Sequence, residues 1–167
     1  ADDLAVLTQW DTPTICNALE EIIPERRGYG FTTHHLFALD SSLPPVCGFA
    51  RTATIRAAEP PRETAAEMAA KRTAYYEYVA AGPMPTIAVI QDLDPRPGHG
   101  AFWGEVHTHV HKGLGAAGAV TNGSIRDIQD SVRGFNLLAG KIGPSHAYVH
   151  VVDFDDVDGG SGGELGG

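Results

Sequence analysis

The chain has 167 residues, 43% of them hydrophobic, and a formal net charge of −9 at pH 7. This length and apolar content predict one globular domain with a single hydrophobic core. Nucleic acid and anionic membrane are not expected as partners, because both bind basic surfaces and the sequence has no Lys/Arg cluster. The N-terminus has no signal-peptide pattern and no window approaches membrane-spanning length, so we expect a cytoplasmic protein.

Hydrophobic periodicity and turn residues predict alternating helices and strands, the pattern of an α/β fold. The predicted elements up to residue 100 are a helix capped by Asp11 or Thr12 and ending near Ile22, a strand over 46–55, a helix over 64–81, a buried strand over 86–91 and a turn-rich loop over 92–100. The helix over 64–81 carries an apolar stripe and a Glu67–Lys71 pair at i,i+4 spacing. Short strands over 137–139 and 147–152 complete the pattern.

Three carboxylates and one guanidinium lie close together in the sequence around a glycine-rich segment. Gly104-Glu105 is followed by twenty residues, then by Arg126-Asp127 and, three residues after Asp127, by Asp130. Carboxylates are suited to a hard divalent cation, and an arginine is suited to an anionic substrate. The region therefore predicts a site that holds a metal and an anion together.

The local structure predicted for this region is a helix, a strand and a second helix. Glu105 opens a helix that runs to about residue 112, and a short apolar strand follows over 116–120. A second helix is predicted to start near Ser124, with Arg126 and Asp127 in its first turn. Free backbone N–H groups and the helix dipole favour an anion at such a point.

Each of these residues also has a simpler interpretation. Ser124 and Asp127 fit a capping box, in which Asp127 stabilises a helix start and binds no ligand. Arg126 and Asp130 fit a surface ion pair worth about 0.3–0.5 kcal/mol. Glu105 fits an ordinary acidic residue in the first turn of a helix. The combination of all four at this spacing favours the functional interpretation.

The run GEVHTHVHKGLGAAGAVTNGSIRDIQD, over 104–130, resembles the RraA-like family, which contains class II pyruvate aldolases and regulators of ribonuclease E activity. The aldolases of that family carry an acidic residue, twenty residues, Arg-Asp, and an acidic residue three positions later. Further similarity covers the helix over 12–19 and the strand over 46–54, so the resemblance extends over about residues 8–152.

The resemblance implies the architecture and the assembly. We expect an α/β fold consisting of a single compact swivelling β/β/α domain, assembled as a homotrimer or hexamer with active sites in the clefts between subunits. Residues 1–158 would form the RraA-like aldolase domain, and residues 159–167 would form a Gly-rich tail that is disordered or marks a truncated chain. Family members usually continue with a further strand-rich segment, which leaves open what a neighbouring subunit donates to the site.

The resemblance also implies a metal cofactor, Mg²⁺ or Mn²⁺. Asp127 would be the direct metal ligand, while Glu105 and Asp130 would hold metal-bound waters as catalytic residues. This arrangement is consistent with the preference of magnesium for few protein ligands and several waters.

The implied reaction is that of a divalent-metal-dependent lyase. A 4-hydroxy-2-oxo acid would be cleaved to pyruvate and a second oxo acid, with oxaloacetate decarboxylation as an accompanying activity. Arg126 would bind the substrate and stabilise the pyruvate enolate. Backbone N–H groups around Val106 and His107 would bind the substrate carboxylate.

Two alternatives from other functional classes remain open at this point. The first is a non-catalytic RraA-like regulatory protein that acts by protein contact. Asp130 argues against this alternative, because by resemblance an acidic residue at that position marks the aldolases. The second is a zinc hydrolase whose metal is bound by His107, His109 and His111. These alternate residues share one face only if the segment is a strand. In a helix only His107 and His111 share a face, and the side chain of His107 then either lines the cleft or is a solvated or core histidine.

The remaining candidate residues are predicted to be structural. Cys16 and Cys47 lie in apolar settings without a CxxC spacing, which is typical of inert buried thiols. Five further histidines have no partner at a ligand spacing: His34, His35, His99, His146 and His150.

Overall fold

A computed structural model of the protein describes residues 2–154. Its elements, in chain order, are α1 (Asp2–Leu7), α2 (Thr12–Ile22), a 3-10 turn (Pro24–Gly28), β1 (Phe37–Ala38), β2 (Phe49–Arg56), α3 (Ala65–Ala80), β3 (Thr86–Asp92), β4 (Ala101–Trp103), α4 (Glu105–Gly113), β5 (Ala116–Ile125), β6 (Asn136–Ile142) and β7 (His150–Phe154). The predicted tail over 159–167 and most of the acidic run before it lie outside the described residues.

The strands form one seven-stranded mixed sheet, so the predicted α/β class is confirmed. The strand order is β1-β6-β5-β3-β2-β7, with β4 paired to β5. The four central strands are parallel, and β1 and β7 are antiparallel to their neighbours. Parallel strands place their carboxyl ends on the same edge of the sheet, where ligands bind in open α/β folds.

The core is built from the central strands and the buried faces of α3 and α4. Residues of β3 alternate between buried and half-buried positions, as expected for a strand with one face toward the core. The large aromatic side chains of Tyr75, Trp103 and Phe135 are at most 1% exposed. Burying residues of this size stabilises the fold by about 1.5–3 kcal/mol each.

Helix α3 begins with a capping box. The Thr64 side chain accepts a hydrogen bond from Glu67 N–H, and the Glu67 carboxylate accepts one from Thr64 N–H at 2.8 Å. The predicted Glu67–Lys71 ion pair is wrong, because Glu67 is used in the cap. Lys71 instead binds Glu63, with Nζ 2.6 Å from Oε1.

The predicted helix starting at Ser124 is also wrong. Strand β5 runs ten residues to Ile125, and no helix follows it within residues 126–154. Ser124 is paired with Lys141 of β6 on one side and with Ala101 of β4 on the other. These two ladders satisfy the backbone groups of Ser124 and so outweigh its local preference for a helix cap. The predicted strand over 116–120 was therefore too short, and β4 was not predicted at all.

The N-terminal part of the chain contributes little to the core. The predicted cap of α2 is confirmed, since Asp11 Oδ1 accepts a hydrogen bond from Thr14 N at 2.9 Å. No side chain of α2 is buried, and several large apolar residues of this part are exposed: Val6, Leu7, Trp10, Ile22, Tyr29 and Phe31. Cys16 and Cys47 are free and half-buried, which corrects the expectation that both are buried. No described helix is long and apolar enough to cross a membrane.

Candidate active site

Arg126 and Asp127 follow directly after β5 and lie against the start of α4. Arg126 N donates a hydrogen bond to Trp103 O at 3.0 Å, which joins the end of β5 to the end of β4. Gly104 fills the corner between them. A Cβ on Gly104 would lie 3.1 Å from Asp127 Oδ2 and 3.3 Å from Arg126 Cγ. A glycine at 104 therefore allows the close approach that the sequence motif requires.

Arg126 forms an ion pair with its neighbour Asp127. Arg126 Nε lies 3.1 Å from Asp127 Oδ2, and the two side chains are 37% and 38% exposed. The alternative pair between Arg126 and Asp130 is absent from the described ion pairs, because no helix places Asp130 one turn away. The guanidinium and the carboxylate are thus held together at the surface of the site.

The segment after Arg126 is a tight turn rather than a helix. Asp127 has a φ of 51°, in the left-handed region that asparagine and aspartate tolerate better than other side chains. Its carbonyl oxygen accepts hydrogen bonds from Asp130 N at 3.1 Å and from Ser131 N and Oγ at 3.0 Å each. Asp127 therefore does not cap a helix, and the capping interpretation is wrong. The side chain of Asp130 is exposed.

Helix α4 begins at Glu105, as predicted, and its first turn faces the turn after β5. Its N-cap residue is Gly104, which has no side chain to accept hydrogen bonds from the first N–H groups. Glu105 is exposed, and Val106 is 65% exposed. The start of α4 thus presents backbone donors and the positive end of the helix dipole beside Arg126.

His107 and His111 share the buried face of α4, as the helical interpretation predicted. The His107 ring lies 4.1 Å from the Phe102 ring, between centroids, and 6.1 Å from that of Tyr76. Its Nδ1 is buried and has no hydrogen-bond partner among the described residues. The side chain of His107 packs into this aromatic cluster, which favours the core interpretation over one in which it lines the cleft.

His111 is fully buried and hydrogen-bonded at both ring nitrogens. Nδ1 lies 2.7 Å from His107 O, and Nε2 lies 2.7 Å from the hydroxyl of Tyr75. Because a carbonyl oxygen only accepts, His111 Nδ1 carries the proton and Tyr75 donates to Nε2. Burial lowers the pKa of His107 to about 3 and that of His111 to about 4, so both rings are neutral at pH 7.

The zinc site on three alternating histidines is ruled out by this geometry. The segment is helical, and His109 is exposed and bonds to Glu105 O through Nδ1 at 2.8 Å. Within residues 2–154 no group of three or more His, Cys, Asp or Glu residues is placed to hold a metal ion.

A magnesium ion needs less than such a cluster. Mg²⁺ retains several waters and is commonly held by one or two carboxylates together with oxygens of the substrate. The half-exposed carboxylate of Asp127, beside the glycine corner at Gly104, would supply one hard oxygen ligand in an open setting. The residues present therefore fit a weakly held magnesium or manganese ion better than a zinc ion.

Two supports of the site were missed by sequence reasoning. Asp92, at the end of β3, accepts hydrogen bonds from Asp94 N and Gly98 N, and so shapes the loop that leads to β4. Burial raises the pKa of Asp92, although these backbone donors oppose that change. The spacing Asp-x-Asp before glycine is a turn signal that could have identified this loop as ordered. Thr108, on the buried side of α4, accepts a hydrogen bond from Val132 N in the segment after β5 and carried no such signal.

Solved structures share this fold at low sequence identity. One, from a study of novel cellulases from microbes associated with the gut ecosystem, aligns with a TM-score of 0.65 at 18% identity, over 90% of this chain and 64% of its own. An uncharacterized protein from Pseudomonas syringae pv. tomato str. DC3000 aligns with a TM-score of 0.63 at 19% identity, over 92% of this chain and 64% of its own. The chain thus spans 64% of the length of each of these two proteins, which is less than two thirds.

A third structure is RraAS2 from Streptomyces coelicolor, described as an unusual member of the RNase ES inhibitor RraA protein family. It aligns with a TM-score of 0.59 at 22% identity, over 91% of this chain and 71% of its own. At these identities the three structures show a common fold and nothing further. No curated protein matches the sequence.

The family is shown by the sequence match. The model of the RraA-like family, described as Aldolase/RraA, matches residues 12–150, which include every strand of the sheet apart from most of β7. The match includes Gly104, Glu105, Arg126 and Asp127 together. The chain therefore belongs to the RraA-like family.

Proposed function

We propose that the protein is a divalent-metal-dependent lyase that cleaves a carbon–carbon bond of a 2-oxo acid to release pyruvate. The observation that carries this proposal is the packing of Arg126 and Asp127 against Gly104 at the start of α4. This arrangement puts a guanidinium, a carboxylate and helix N-terminal donors at one surface. An anionic substrate and a cation require that combination.

The reaction is a retro-aldol cleavage of a 4-hydroxy-2-oxo acid. The C3–C4 bond breaks, its electron pair passes to the pyruvate enolate, and the 4-hydroxyl group loses its proton to become the second carbonyl. The enolate then takes up a proton at C3. Decarboxylation of oxaloacetate leads to the same enolate, with carbon dioxide as the second product.

The residues of the chain have separate roles in this reaction. Arg126 binds the keto oxygen and stabilises the negative charge that develops there. The N–H groups around Val106 and His107 bind the substrate carboxylate. Asp127 would hold Mg²⁺ or Mn²⁺, with Glu105 and Asp130 orienting its waters, and the ion would supply Lewis-acid polarisation of the substrate.

The test is a pyruvate-release assay on a panel of 4-hydroxy-2-oxo acids and oxaloacetate. We expect release that requires added Mg²⁺ or Mn²⁺ and is abolished by EDTA. An enzyme that releases pyruvate from none of these substrates with either metal would contradict the proposed function.

A regulatory role by protein contact is the second candidate. The exposed apolar side chains of Val6, Leu7, Trp10 and Ile22, all in the N-terminal 22 residues, favour it as a contact region for another protein. One structural relative is also described as belonging to an RNase ES inhibitor family. Inhibition of a purified RNase E-type enzyme by this protein, lost in Trp10→Ser but kept in Asp127→Asn, would favour regulation over catalysis.

We also propose a homotrimer or hexamer whose subunit contacts complete the site. The same exposed apolar residues and the half-exposed Arg126–Asp127 pair support a covering neighbour. Light scattering should give three or six times the chain mass. A fully active monomer would contradict this assembly.

A further inference from the structure

Thr108 lies on the buried side of α4 and is fully enclosed. Its hydroxyl donates a hydrogen bond to Glu105 O at 3.0 Å, within the helix. The same oxygen accepts a hydrogen bond from Val132 N at 3.0 Å, outside the helix. The bond to Glu105 lies within α4, but the bond from Val132 joins α4 to the segment after β5.

The segment over 126–132 is thereby attached at both of its ends. At its start, Arg126 N donates to Trp103 O, immediately before α4. At its end, Val132 N donates to Thr108 Oγ, within α4. Between these points the chain bonds to itself through Asp127 O. The turn that carries Arg126 and Asp127 is thus fastened to the element that carries Glu105.

We propose that Thr108 is a positioning residue, which holds the Arg126–Asp127 turn in register with the first turn of α4. This inference rests on the proposed function of the same site. Loss of the Thr108 hydroxyl removes the acceptor of Val132 N–H, which costs more than removing one donor to Glu105 O. Glu105 O also lies within hydrogen-bond distance of His109 Nδ1, whereas Thr108 Oγ is the acceptor that the described residues provide for Val132 N–H.

The experiment compares three variants. Thr108→Val keeps the shape and removes the hydroxyl, and Thr108→Ser restores it. Thr86→Val is the matched control, because Thr86 is also fully buried and its Oγ donates to Pro83 O at 3.0 Å. Thr86 lies at the start of β3, whereas the loop that leads to β4 and the site follows the end of β3. Two properties are measured for each variant: hydrogen exchange at the amides of residues 130–132, and oxalate affinity with Mg²⁺ by calorimetry, beside kcat/KM.

We expect Thr108→Val to speed exchange at Val132 about tenfold, as loss of one buried hydrogen bond implies. Oxalate affinity and kcat/KM should fall about 10- to 100-fold, as for other residues that orient a binding group from behind. Thr108→Ser should recover most of both. Thr86→Val should leave exchange at 130–132 and oxalate affinity unchanged, even where its thermal stability falls equally.

The outcomes separate this inference from the proposed function. A wild-type protein that neither binds oxalate nor releases pyruvate contradicts the proposed function, while hydrogen exchange still tests the attachment made by Thr108. Unchanged exchange at Val132 in Thr108→Val would overturn the inference. An equal loss of oxalate affinity in Thr86→Val would also overturn it, because Thr108 would then act only through general stability.

Discussion

The two faces of helix α4 differ in exposure, charge and chemistry. One face presents Glu105 and Val106 to solvent beside the Arg126–Asp127 pair. The opposite face carries the half-buried His107 and the buried Thr108 and His111, and both histidine rings pack against aromatic rings of the core. Polar residues occur on both, but on the buried face they bond within the protein: Thr108 to Glu105 and Val132, and His111 to His107 and Tyr75.

The difference shows how a short helix can serve both the site and the core. Exposed charges cost little to keep and remain available to a ligand, while buried polar groups must find partners within the protein. We therefore expect substitutions on the exposed face to change turnover with little effect on stability. Substitutions on the buried face should do the reverse, and Thr108 alone should connect the two.

The largest effect on the exposed side is expected for Asp127→Asn. Asparagine tolerates the left-handed backbone of this position but is a poor magnesium ligand, so metal-dependent pyruvate release should be abolished while the fold is kept. The measurements are steady-state kinetics and thermal unfolding. Asp3→Asn, an exposed position in α1, is the control. Retained activity would rule out Asp127 as the ligand.

Arg126→Lys should have the next largest effect. Lysine keeps the charge but loses the planar donor arrangement, so kcat should fall by about tenfold to a thousandfold, as for loss of one oxyanion donor. Arg27→Lys is the matched control, because Arg27 Nε also pairs with a carboxylate, that of Glu20, at 3.0 Å on the surface. Equal kinetics for the two variants would remove Arg126 from the proposed mechanism.

Glu105→Gln should have a moderate effect. If Glu105 orients metal-bound water, kcat/KM should fall about tenfold and the apparent Mg²⁺ affinity should weaken. The stability change should stay below about 1 kcal/mol, the value of a charge at a helix start. A variant that loses stability but keeps its Mg²⁺ dependence would assign Glu105 to the helix dipole alone.

The smallest effect on turnover is expected on the buried face, where the change should be seen in stability only. An unfolded histidine binds a proton below about pH 6.5. Burial keeps the pKa of His107 at about 3 and that of His111 at about 4, so the unfolded chain binds more protons between these values and 6.5. The free energy of unfolding should therefore fall as the pH decreases through this window, by at most about 1.4 kcal/mol per pH unit for each histidine.

His107→Phe tests this dependence. Phenylalanine fits the aromatic cluster and removes a buried nitrogen without a partner, so stability at pH 7 should be unchanged or higher. The free energy of unfolding, measured with urea between pH 4.5 and 6.5, should change less steeply with pH than it does in the wild type. Asp92 changes the unfolding free energy with pH in the opposite direction, since burial raises its pKa, and it does so equally in His107→Phe and in the wild type. An unaltered pH dependence of the unfolding free energy would show that His107 is already solvated. Faster or slower turnover would contradict the division of roles between the exposed and buried faces of α4.

Local sequence signals identified the elements whose ends depend on neighbouring residues. The Asp11 cap and the start of α4 at Glu105 were predicted, because a helix end is satisfied within one turn of chain. The capping box at Thr64 was missed, because Glu67 was assigned to Lys71. The placement of His107 and His111 on one face followed from helical periodicity alone. The family motif was equally local, since its residues lie within 104–130.

The sequence by itself therefore determined that Gly104, Arg126 and Asp127 lie near one another, and only the tertiary structure decided how. A local signal at Ser124 predicted a helix, but pairing with β4 and β6 extended β5 and turned Arg126 and Asp127 into a tight turn. The bond from Val132 to Thr108 joins residues 24 positions apart. Contacts of this kind depend on strand pairing across the whole sheet, which no window of sequence contains.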